Sequence, residues 1–247
     1  MAANIGNVIT FPVRRGAEIA TGAVSRAASE VSAGSARLVA EHAGTVDDWG
    51  RDSRFTDHVK LASKLRWKVS VGGDQHLPRK GGALIVVNAR QLALAPIFAA
   101  FAIGDAVDRP VRFVGRPDTA PIGAISRRIG GLLDDPAEVE GALAAGELVI
   151  IGAEHDPRLL EVGVIDHGLV GAAIHANVPV FPAGTSSSPT SRNARVEIGP
   201  ASRASRRRRG PLAELELADH VRADIAEILE ELGELSTGLP VDWLPFR

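Results

Sequence analysis

The 247-residue sequence contains no cysteine and no tyrosine. The first absence removes disulfides, thiolate nucleophiles and cysteine metal sites together, and fits a reducing, cytoplasmic setting. The second, with no aromatic residues interleaved among the basic ones, speaks against nucleic acid as a partner, because bases need flat rings to stack on. An excess of charge of one sign is also lacking: 28 lysines and arginines stand against 30 acids, so any attraction to a polyanion is local. The longest apolar run, Leu92 to Gly104, is interrupted by Pro96 and falls short of the roughly 20 residues a spanning helix requires. The Ala/Ser-rich stretch after Arg14 and Arg15 is too polar for a signal-peptide core and reads as part of the mature protein. No G-x-S-x-G elbow, H-E-x-x-H pair or Gly-Lys-Ser/Thr phosphate loop is present, which excludes the common serine hydrolase, zinc peptidase and P-loop signatures.

What is there suits one large domain, since a hydrophobic content of 45% supplies its core. Residues 1–50 read as an N-terminal helical arm and residues 51–247 as an α/β domain. In the arm, Ala20, Val24, Ala27, Val31 and Leu38 recur at helical spacing between Ala17 and Glu41. That helix is a packing helix, a frayed arm or a membrane-surface helix. A second helix is predicted over Arg54 to Arg66 after the Asp52-Ser53 start signal, followed by a half-buried strand at Trp67, Val69 and Val71 that ends at Gly72-Gly73. Further strands are predicted at Ala83 to Asn88, Val111 to Gly115, Leu148 to Gly152, Val178 to Ala183 and Arg195 to Gly199. The stretches between them suit helical crossovers, so the sheet is expected to be mostly parallel and covered by helices. A final acidic helix carries the apolar stripe Val221, Ile225, Ile228, Leu229, Leu232 and Leu235.

Four segments between about Gly82 and Pro200 carry a family likeness. They are Gly81-Gly82-Ala83-Leu84-Ile85-Val86-Val87-Asn88-Ala89-Arg90 with Pro96 downstream; Arg112-Phe113-Val114-Gly115-Arg116 through Pro121-Ile122-Gly123 to Arg128-Ile129-Gly130-Gly131; Ala145-Gly146-Glu147-Leu148-Val149-Ile150-Ile151; and Ala176-Asn177-Val178-Pro179-Val180-Phe181-Pro182 with Arg195-Val196-Glu197-Ile198-Gly199-Pro200. In this order and spacing they resemble the blocks of the PlsC-like glycerophospholipid acyltransferases, which acylate glycerol 3-phosphate and lysophosphatidic acid. The resemblance implies the acyltransferase α/β fold, a role in phospholipid or glycerolipid metabolism and an acyl-CoA as ligand or donor, with no other cofactor.

It also implies where the chemistry would stand. In the family a histidine follows the asparagine of the first block and an aspartate lies five residues beyond it, the histidine taking the proton from the attacking hydroxyl. Here those positions are Ala89 and Leu94. Hydrocarbon neither accepts a proton nor orients an imidazole, so a step typically worth ~10²–10⁴ in rate has no carrier. The family's Phe-Pro-Glu-Gly-Thr after the third block is replaced by Gly152-Ala153-Glu154-His155-Asp156-Pro157. The expected ligand contacts are Asn88, Arg90, Arg116, Glu154 and Thr185. Among these, Arg116 corresponds to a phosphate contact, which its planar fork would suit, with a surface salt bridge as the alternative.

His155, at a predicted strand end, is either a displaced general base or part of a solvated turn opened by Asp156-Pro157. His155, His167 and His175 lack zinc-ligand spacing, and no metal is expected. Gly184 to Ser188 reads as a polar loop after its strand, a flexible connector or a phosphate cradle. Arg203, Arg206, Arg207, Arg208 and Arg209 place five charges in seven residues. They either contact an anionic membrane surface or balance the acidic helix that follows. The resulting expectation is a catalytically degenerate acyltransferase-like protein that binds lipid or acyl-CoA, cytoplasmic and peripheral to a membrane. The alternatives are an active acyltransferase with a substitute base and a module that binds a protein partner.

Overall fold

A computed structural model describes residues 46–88, 94–153, 162–187, 192–203 and 210–232. The predicted helix over Ala17 to Glu41 lies outside the described residues. The elements run α1 (Ser53–Arg66), β1 (Lys68–Gly72), a 3₁₀ turn (Asp74–His76), β2 (Ala83–Val87), α2 (Leu94–Val107), β3 (Val111–Val114), α3 (Ile122–Arg128), β4 (Gly131–Leu132), α4 (Pro136–Ala144), β5 (Leu148–Gly152), α5 (His167–His175), β6 (Val180–Ser187), β7 (Asn193–Ile198) and α6 (Pro211–Glu231). Among the described residues no helix is long and apolar enough to cross a membrane.

The strands form one sheet in the order β1-β7-β6-β2-β5-β3-β4. From β6 to β4 every pair is parallel, whereas β7 runs antiparallel to β6 and carries β1 parallel to itself. Every side chain of Ala83 to Val87 and of Leu148 to Ile151 is withdrawn from water, because a parallel sheet with crossover helices is covered on both faces. One face packs Trp67, Phe101, Ile103 and Phe113 under α1 and α2. The other packs Leu143, Leu169, Val170, Val221 and Ile225 from α4, α5 and α6. The close approach at Gly82 leaves no room for a side chain, since a Cβ there would stand 2.2 Å from the Leu143 carbonyl oxygen.

One sequence expectation needs correction. Gly184 to Ser187 do not form a loop, because β6 continues through Ser187 and pairs residue by residue with β7 from Ala183↔Ile198 to Ser187↔Ala194. The polar run is strand because it borders an antiparallel neighbour, whose pairing satisfies its backbone whatever its side chains are. The two-residue strand β4 escaped notice, being too short for any alternation to register.

Arg112 is 1% exposed and sits near the amino ends of β3 and β5. Its NH2 group donates to Asp47 Oδ2 at 2.8 Å, and its Nε faces Glu147 at 3.1 Å as a charge contact. The guanidinium also lies over Trp49 at 5.8 Å. Asp52 caps α1 through the Phe55 amide and pairs with Arg128 at 2.7 Å. Residues 46–52 are thereby fixed against β3 and α3. A third arginine, Arg109, donates to the carbonyls of Pro78, Gly81 and Gly146 at 2.7 to 2.9 Å, tying together the loops at the same edge.

The Arg112 site predicts a clear imbalance in urea unfolding. Asp47→Ala, which strips one partner from a buried cation, should lower stability by about 2 kcal/mol. Adding Arg112→Met should recover part of that loss, measured as a double-mutant cycle.

Between α1 and α2, Asp105 accepts from Lys60 and Lys64, each at 2.8 Å. Burial pushes the Asp105 carboxyl upward, but the hydrogen bonds and charges of Lys60 and Lys64 outweigh it and hold the group below its ordinary 3.8. A folded value below the unfolded one means stability that is full above the unfolded value and is lost as pH falls through the folded one. Asp105→Asn should therefore cost less than about 1 kcal/mol at neutral pH, as half-exposed pairs do. The difference from wild type should fade in thermal melts taken progressively below pH 3.8.

Candidate functional site

The carboxyl ends of β2, β5, β3 and β6 share one edge of the sheet, and α2, α4 and α5 begin there. In open α/β sheets this is where ligands gather, because strand ends and helix starts leave backbone groups and loop side chains facing a crevice. Of the expected contacts, Asn88, Arg116 and Thr185 are described at or next to this edge. Ala89, Arg90, Glu154 and His155 lie outside the described residues, and Leu94 is the first residue of α2.

Asn88 follows the last residue of β2. Its Oδ1 accepts from the Thr185 backbone amide at 2.7 Å and from the Thr185 hydroxyl at 2.6 Å, and its Nδ2 donates to the Thr185 carbonyl at 3.0 Å. The side-chain amide thus behaves as one more peptide group, prolonging the β2–β6 ladder past Val87↔Ala183. Sequence reading placed both residues among the ligand contacts without seeing that they bind each other. They are 97 residues apart, and no local pattern announces such a pair. Most of the hydrogen-bonding capacity of Asn88 is spent on positioning, which fixes the point where the chain leaves β2 toward residues 89–93.

Arg116 follows β3 and is 14% exposed. Its backbone amide donates to Leu132 at 2.8 Å, and its guanidinium faces Glu138 of α4 at 3.5 Å. The helix starts nearby are already compensated by acids. Asp135 caps α4 through the Ala137 amide at 3.0 Å, and Asp166 caps α5 through Gly168 and Leu169 at 2.7 and 3.1 Å. The two first turns are neighbours, since a Cβ on Gly168 would meet Pro136 at 3.4 Å. A helix start attracts an anion through its free amides and its dipole. Here capping carboxylates take those amides, and Glu138 offsets Arg116. Sequence reading did not single out these caps, although an Asp directly before Pro136 and another before His167 were the signals that could have found them; Glu138 carried no signal.

Among the described residues the structure sets one histidine against carboxylates. His175 Nδ1 lies 3.4 Å from Glu140 and Nε2 lies 3.7 Å from Glu214. His175 ends α5, at the opposite edge of the sheet from Asn88. Its two nitrogens face different acids, so the three groups do not converge on one point. Among the described residues no cluster of three or more histidines and acids is arranged to hold a metal. His167 is exposed at the first position of α5.

Arg203 is exposed and lies beyond the amino end of β6, because β7 runs antiparallel and the chain after it returns along β6 until the Ser202 amide meets the Val180 carbonyl at 2.8 Å. Arg206 to Arg209 lie outside the described residues. Gly210, on their far side, leads into α6, whose first turn reaches His175 through Glu214. Both flanks of the arginine run therefore stand at the amino edge, opposite Asn88 and Arg116.

The Asn88 bridge predicts a stability effect separable from ligand binding. Asn88→Ala leaves the Thr185 amide and carbonyl without their side-chain partner and should cost about 1–3 kcal/mol in chemical denaturation. Thr185→Val, which removes only the hydroxyl contact, should cost less.

No protein-family model matches the sequence, and no curated protein does. Among solved structures the chain is similar to the 1-acyl-sn-glycerophosphate (LPA) acyltransferase PlsC from Thermotoga maritima. The TM-score is 0.53 at 16% identity, covering 73% of this chain and 78% of that one. The strand order, the helix-covered parallel core and this likeness together establish an α/β fold of the PlsC acyltransferase type.

Proposed function

We propose that this protein belongs to phospholipid or glycerolipid metabolism and holds an acyl thioester or lipid at the carboxyl edge of β2, β5 and β3 without transferring its acyl group. The observation that carries the reading is the segment between Asn88 and α2. The resemblance places a proton acceptor and its acid partner there, and the sequence offers Ala89, Arg90, Gln91, Leu92, Ala93 and Leu94. Cationic, amide and hydrocarbon side chains do not serve as general bases at neutral pH.

The surroundings argue further for the acyl end of a ligand over a phosphate headgroup. Arg116, the expected phosphate contact, is matched by Glu138, and the two neighbouring helix starts carry Asp135 and Asp166. Among the described residues a phosphate would meet three carboxylates for one guanidinium. In this reading the arginines from Arg203 to Arg209 supply contact with an anionic surface. Their flanks lie at the opposite edge from Asn88, so docking through them leaves the crevice turned toward water. A ligand that arrives through water, such as an acyl-CoA, fits that arrangement better than one resident in the bilayer.

Incubation with a long-chain acyl-CoA and a panel of lysophospholipid and other hydroxyl acceptors should release coenzyme A no faster than buffer does. Native mass spectrometry of the gently purified protein should show an acyl-CoA or lipid adduct. Release well above background that is abolished by His155→Ala would instead establish an active transferase with a substitute base.

A further inference from the structure

We draw no further inference here: the strongest candidate, the apolar groove of about 230 Å³ between α1 and α2 lined by Trp67, Val69, Phe98 and Phe101, carries none, because its charged lining residues Lys64 and Asp105 are already paired with each other and nothing in the structure shows what covers it.

Discussion

The burial of β2 and β5 on both faces governs the rest of this molecule. Ala83 to Val87 and Leu148 to Ile151 contact no water, so these strands can carry no polar side chain along their length without a partner to satisfy it. Polar chemistry is confined to where the chain leaves the sheet. Helices must cover both faces, so α4 and α5 each start from the carboxyl edge, where their first turns lie together, and run back to the amino edge. The crevice follows from a hydrophobic requirement, and its chemistry is left to the few residues at the strand ends.

At those ends, in a fold similar to that of PlsC, most polar groups already have partners within the protein. Asn88 is occupied by Thr185, Arg116 by Glu138, and the two nearby helix starts by Asp135 and Asp166. The amides of the two helix starts and of Thr185 are thereby satisfied within the protein, whereas Arg116 has only a charge contact at 3.5 Å and its buried Nε has no hydrogen-bond partner among the described residues. Arg203 and Gly210, the described residues on either side of the arginine run, stand at the other edge, because β7 reverses direction against β6.

The fold was largely legible because its strongest signals are local. Continuous apolar runs such as Leu148 to Gly152 mark buried strands, Asp52-Ser53 marks the start of α1, and the stripe through Val221 and Ile225 marks α6. The direction of β7 was not legible, since antiparallel and parallel neighbours demand the same alternation. Polar Thr185, Ser186 and Ser187 read as loop because strand propensity is a matter of what lies alongside, and β7 was not yet in view. The site resisted reading for the same reason. Arg112 looked like one residue of a family block and is a buried cation held by Asp47 and Glu147, a relation that appears only when β3, β5 and residues 46–52 are brought together.

The amide of Asn88 stands in for a peptide bond at the end of a ladder, and this has a chemical consequence. Hydrolysis to a carboxylate, the slow ageing open to any asparagine, would keep the shape and volume of the side chain. It would exchange the nitrogen that donates to the Thr185 carbonyl for an oxygen that repels it. Two acceptors would then stand face to face where the chain leaves β2, so a change of one atom, invisible in the packing, would undo the junction between the two halves of the edge.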